Sequence, residues 1–200
     1  MGSRTTGLMV IMLATLAAAA SAQDEPKIGI AMGYPASVGI VWHVAGRVAL
    51  RPEVTATRST SDLTATTTVI VGGATSTSST LNSNDNWQVL VGVSALFYLP
   101  AHDALRTYVS PRYAYTRIGS TSTAGGAPLL NSTGNEHAVS GSFGAQYALG
   151  RRFAVFGELG VAFTRTTNTP NSDSFTSNLL TASTSNTLGT RSGAGVILYF

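Results

Sequence analysis

The sequence contains no cysteine. Disulfides, thiol nucleophiles and thiolate metal sites are therefore excluded, and with them the small secreted scaffold stapled by bridges. Charge is scarce as well: Asp, Glu, Lys and Arg make up 10% of the 200 residues, against roughly 25% in a soluble globular domain. Hydrophobic content is an ordinary 44%, and Gly, Ser and Thr fill the difference. After residue 22 no continuous apolar run is long enough for a spanning helix, so any membrane span has to be a barrel wall. A chain poor in charge but average in hydrophobicity suits such a wall, with lipid outside and small or polar side chains inside.

The beginning of the chain has its own composition. Arg4 precedes an apolar run from Leu8 to Ala20, and Ala20-Ser21-Ala22 places small residues at a cleavage position. These are the parts of a secretory signal. They divide the chain into a signal peptide, 1–22, and one mature domain, 23–200. Arg4 is the one charged residue of the signal, so its removal takes the formal net charge from +3 to +2. The high pI therefore does not mark a nucleic-acid binder.

The mature domain alternates with the period of a strand. The last stretch puts Thr190, Ser192, Ala194, Val196, Leu198 and Phe200 on one face and Arg191, Gly193, Gly195, Ile197 and Tyr199 on the other. Similar alternation runs over 27–34, 38–44, 48–58, 87–99, 107–116, 139–149 and 153–164, which makes eight strands. Pro52 removes a ladder donor and predicts a local defect in the third. Short turns are expected at 35–37, 45–47, 100–104 and 150–152. Three stretches rich in Ser, Thr, Gly and Asn, 60–84, 119–135 and 167–186, read as long hydrated loops. An even strand count, with short turns on one side and long loops on the other except for the short 35–37, predicts an all-β, eight-stranded antiparallel up-and-down transmembrane barrel.

With the long loops outside, Tyr34, Trp87, Tyr113, Tyr115 and Phe163 fall near the outer end of the wall. Trp42, Phe97, Tyr147, Phe153 and Phe200 fall near the inner end. Two aromatic levels are what membrane interfaces select. The inward charges are Arg51, Glu53, Arg112, Glu158 and Arg191, with Lys27 a further candidate. In a narrow space of low dielectric they are expected to pair, because unpaired burial is costly. That reading gives a polar plug; the alternative is a narrow porin-like channel for small solutes or ions, with a cation excess favouring anions. Catalysis is not expected, since arginines beside Glu53 and Glu158 leave no evident acid. His43, His102 and His137 have no metal-ligand spacing, and neither a metal nor a cofactor is expected. Loops on a rigid scaffold often carry binding, so a surface adhesin stays open. A soluble lipocalin-like carrier stays open too, but it would reverse the facing, with large apolar residues inside.

Taken together these residues resemble the small bacterial outer-membrane β-barrel proteins of the eight-stranded OmpA/OmpX-like type, over the signal and all of about 27–200. The terminal Val196-Ile197-Leu198-Tyr199-Phe200 is similar to the C-terminal signal read by the outer-membrane assembly machinery, with Val196, Leu198 and Phe200 carrying it. Leu198 departs mildly, standing where an aromatic is frequent. The resemblance implies the outer membrane of a Gram-negative-type bacterium as location. It implies outer-membrane lipid and the export and barrel-assembly machinery as partners, no nucleic acid, and a monomer. The inward Arg/Glu group is similar to the lumenal ion-pair cluster of such barrels, and no peptidoglycan-binding domain is expected after Phe200. Function varies widely on this fold, so a mainly structural or surface-exposed role is the expectation rather than a particular solute.

Overall fold

The computed structural model describes residues 28–34, 37–100, 104–171 and 182–200. The proposed signal peptide and cleavage site, Lys27, His102 and much of the 167–186 stretch lie outside the described residues. Eight strands follow one another: β1 (Ile28–Tyr34), β2 (Ser37–Ala45), β3 (Val48–Val71), β4 (Ala74–Tyr98), β5 (Leu105–Ala124), β6 (Ala127–Ala148), β7 (Phe153–Asn171) and β8 (Ser183–Tyr199). Each pairs antiparallel with its neighbours in sequence, and β1 with β8 closes the barrel.

Alternation assigns the faces as the sequence implies. Val91, Val93, Leu159 and Val161 are exposed on the outside, while Arg51, Glu53 and Glu158 are buried inside. This is the reverse of a soluble carrier's facing. The apolar belt has charged limits. At the short-turn end, Arg47, Arg151 and Arg152 are exposed. Towards the other end, Arg58 faces out opposite Trp87 and Asp85 just beyond it, and they pair through two bonds, Nε to Oδ1 at 3.0 Å and Nη2 to Oδ2 at 2.7 Å. Between these limits the stretch 87–97 of β4 rises roughly 25 Å, taking about 3.3 Å per residue at the usual tilt of about 40°. That matches a hydrocarbon layer.

The hydrogen bonds from Arg58 hold the Asp85 carboxyl below the usual carboxylate range. A carboxylate whose folded-state pKa is depressed contributes stability above its unfolded value and loses it as pH falls through the folded one. Acidification is therefore expected to loosen β3 and β4 around Thr60–Asp85 before it touches the wall. Hydrogen exchange compared at neutral and acidic pH would measure this, and a wall that opens first would contradict it.

The Ser/Thr-rich stretches correct the loop expectation. Residues 60–84 form the outer halves of β3 and β4, paired continuously to Val71↔Ala74. Residues 119–135 likewise belong to β5 and β6, paired to Ala124↔Ala127 with one register shift near Ser122. In the third stretch β7 runs on to Asn171 and β8 begins at Ser183. The reason lies in the turns. Gly72 and Gly73 have φ of 59° and 86°, and Gly125 and Gly126 have φ of 57° and 81°. Positive φ at both central residues is the tight two-residue hairpin turn whose twist suits flanking strands. Thr, being β-branched, then favours the extended state on either side.

Replacing Gly73 with Val is expected to cost the outer hairpin about 1 kcal/mol or more, because a side chain there is strained at positive φ. Faster amide exchange over 60–84 with unchanged exchange in the wall is the expected result. Uniform protection in both forms would contradict it.

Pro52 breaks the ladder on one side only. On the β4 side it keeps its place opposite Val93. On the β2 side no pairs join Ile40 and Val41 to Pro52 and Arg51, although the register is the same before and after. The expected defect is thus a gap in pairing, and the register shift of that strand pair lies between His43 and Ala45, beside the turn.

Strand lengths are unequal. β1 and β2 stop low, and their last partners towards the outside are Tyr34↔Ala194 and Val38↔Val54. Beyond them, among the described residues, the outer parts of β3 and β8 keep a paired neighbour on one side only. Among the described residues the barrel is closed at its base and open on one side above the β1–β2 end, as a slot.

Candidate functional site

The lumen is filled in two layers. Nearer the short turns lies the apolar core: Ala31, Val41, Ala49, Leu96, Tyr98, Tyr108, Ala154, Ile197 and Tyr199, with Phe156 packed against it. Strand alternation delivers these side chains inward, and small residues make room for the rings. An added Cβ at Gly144 would sit 2.5 Å from the Tyr108 ring, and one at Gly29 would sit 2.8 Å from that of Tyr199. The phenols find partners, as buried hydroxyls must. Tyr98 Oη donates to Gln146 Oε1 at 3.0 Å, and Gln146 Nε2 donates to Tyr199 Oη at 3.0 Å. His43 Nε2 lies 3.4 Å from Tyr199 Oη, and its ring stacks on Tyr98 with centroids 5.4 Å apart. This inward histidine is held by tyrosines.

Above this layer the five inward charges come together. Arg112, on β5, bonds Glu53 of β3 through Nε and Nη2. Glu53 Oε2 stands 3.9 Å from Arg51 Nε on the same strand. Arg51 Nη1 lies 2.7 Å from Glu158 Oε1 of β7, and Arg191 Nη1 of β8 lies 2.9 Å from Glu158 Oε2. Signs alternate along the chain Arg112–Glu53–Arg51–Glu158–Arg191, which crosses the lumen from β5 through β3 to β7 and β8. The Arg51–Glu158 contact is a close pair of opposite charges, with both side chains buried. Phe156 supports it, with the Arg51 guanidinium 5.3 Å from the ring centroid. Arg191 Nη1 also donates to Ser142 Oγ at 3.2 Å, and Tyr108 Oη donates to Glu158 Oε1 at 2.9 Å. That last bond ties the two layers together. Glu158 is committed as an acceptor on both oxygens.

Sequence reasoning places Tyr98, Tyr108 and Tyr199 on the inward face but gives them no role. The signal that finds them is the coincidence of large aromatics with inward positions and of glycines on neighbouring strands. The girdle positions stand outside: Tyr34, Trp42, Trp87, Tyr113, Tyr147, Phe153, Phe163 and Phe200 are exposed, and Phe97 and Tyr115 are half-buried. Tyr113 Oη bonds His137 Nδ1 at 2.8 Å, and Tyr115 Oη donates to Asn135 Oδ1 at 2.7 Å. His137 is therefore part of the outer surface. At the closing strand Val196 and Leu198 pair with Met32 and Ile30, and Phe200 N donates to Ile28 O at 3.0 Å. Among the described residues no group of three or more His, Asp or Glu is gathered as metal ligands.

An eight-stranded, closed, antiparallel barrel with an apolar exterior and a polar, ion-paired lumen is of the outer-membrane type. The fold is similar to the crystal structure of a major outer membrane protein from Thermus thermophilus, with a TM-score of 0.54 and 16% identity, covering 87% of this chain and 98% of that one. Acinetobacter baumannii CarO aligns with a TM-score of 0.40 and 13% identity, covering 90% of this chain and 100% of that one. No family model and no curated protein matches the chain.

Proposed function

We propose that the chain is an integral outer-membrane barrel with a mainly structural or surface-exposed role, its lumen shut by the two side-chain layers. The observation that carries this is the unbroken alternation Arg112–Glu53–Arg51–Glu158–Arg191 spanning the lumen directly above a packed tyrosine layer. Eight strands leave an interior that side chains can fill, unlike a 16-stranded porin. The exposed apolar belt with charged limits supports a lipid surround, and the aromatic residues at its two ends support interfacial anchoring. On this reading the partners are outer-membrane lipid and the export and assembly machinery, Val196, Leu198 and Phe200 form the assembly signal, and the barrel works as a monomer. No catalytic role is proposed for either glutamate, since arginines engage both.

The purified barrel in a planar bilayer is expected to stay closed across voltage. Stepwise openings in the unaltered protein would sink the proposal. Because either layer suffices to block, replacing Tyr98 and Tyr199 with Ala is expected to leave the traces closed while the charge chain stands. Steady conductance in that variant would give the blocking role to the tyrosines alone.

A further inference from the structure

The outer side of the charge chain is the floor of a cavity of about 250 Å³. Its walls include Thr55, Thr57 and Gln88, and it reaches the slot at Ser192 and Gly193 of β8. The volume falls below the roughly 300–1,000 Å³ of sites for drug-sized molecules, so its occupant is small or enters only in part. Three guanidiniums and two carboxylates face this space, an excess of one positive charge.

The donors are unevenly used. Arg112 spends Nε and Nη2 on Glu53, and Arg191 spends Nη1 on Glu158 and Ser142. Arg112 Nη1 and Arg191 Nε and Nη2 take no part in these bonds, and both side chains are mostly but not wholly covered. Both carboxylates are shared between two arginines already. With three guanidiniums to two carboxylates already engaged, the cup favours a further acceptor carrying negative charge. A guanidinium presents paired N–H groups that match a carboxylate or phosphate.

We propose that this cup binds one small anionic group, a carboxylate or a similar oxyanion, between Arg112 and Arg191, with Gln88, Thr55 and Thr57 as neutral donors around it. The group has two routes. A free anion enters through the mouth between the outer hairpins. The head of an amphiphile enters through the slot over the β1–β2 end, leaving its tail beside Tyr34.

The test uses the full barrel refolded in nonionic micelles, with the arginine Nε–H signals followed by NMR as sodium acetate or sodium octanoate is added against sodium chloride at equal ionic strength. A saturable shift at Arg191 and Arg112 is expected with the carboxylates and not with chloride. R191Q is expected to weaken binding about tenfold or more, the scale of one charge-assisted hydrogen bond. Q88E leaves the charge chain intact and is expected to abolish binding by bringing a negative charge to the wall. R151Q, at the short-turn surface, should bind as the unaltered protein does. Tighter binding of octanoate than of acetate assigns the amphiphile and the slot, and equal binding assigns the free anion and the mouth. No saturable shift, or binding that survives both R191Q and Q88E, overturns the proposal. The outcome is separate from the closed-lumen reading, because conductance reports whether ions pass the lumen and this titration reports whether Arg112 and Arg191 hold one.

Discussion

Replacing Glu158 with Ala is expected to destabilise the folded barrel by about 3–5 kcal/mol, the usual cost of breaking a buried ion pair from one side. The magnitude follows from what is left behind. Glu158 receives Arg51 at 2.7 Å, Arg191 at 2.9 Å and the Tyr108 hydroxyl at 2.9 Å. Without it, Arg51 keeps Glu53 at a distant 3.9 Å and the face of Phe156, and its charge stays buried. Arg191→Ala should cost much less, since Arg191 is partly exposed and Glu158 keeps Arg51. Replacing Arg51 and Glu158 together with Leu should recover most of the loss, because a matched apolar pair carries no stranded charge. Urea unfolding in lipid vesicles, followed by gel mobility, ranks the three. Equal losses in Glu158→Ala and Arg191→Ala would show that Glu158 is not the hub of the chain.

Replacing Gly195 with Val is expected to abolish the heat-modifiable folded form altogether. A Cβ at this position would lie 2.2 Å from Met32 O and 2.7 Å from Gly33 Cα, and 2.8 Å from the Phe156 ring. The first two are backbone atoms of β1, so relief requires β8 and β1 to separate. The third is the ring beneath Arg51, so the same substitution disturbs the charge layer. Gly193→Ala, with only Tyr34 O nearby at 3.5 Å, should fold normally and serves as the control. Normal heat-modifiable mobility of Gly195→Val in vesicles would mean the seam can widen without loss, contrary to the close approach described.

The wall is legible in the sequence because lipid outside and a packed lumen inside impose strict alternation, and Val89, Val91 and Val93 against Leu90, Gly92 and Ser94 record it directly. The inward charges are legible for the same reason: Arg51, Glu53, Arg112, Glu158 and Arg191 fall on the small-and-polar face. Their pairing is not. Whether Glu158 meets Arg51 or Arg112 depends on the stagger between strands, which no single strand encodes. The outer hairpins read as loops because Ser and Thr are common in loops and in exposed strands alike, and burial, which drives the alternation signal, is absent there. The Gly-Gly pairs at 72–73 and 125–126 are the signal that distinguishes the two. Tyr108 escapes notice because an inward aromatic reads as filler until its hydroxyl is seen on Glu158.

The unequal strands have a consequence for how the chain reaches this state. Seven of the eight strand pairings join neighbours in sequence, and two of them close through two-residue glycine turns, where loop-closure entropy is small. The eighth, β1 with β8, joins the ends of the described chain through a run of only Gly29↔Tyr199 to Tyr34↔Ala194. Contacts of such long sequence separation are slow to form. The chain is thus a ribbon of ready hairpins with one short clasp, and the clasp is the contact expected to form last.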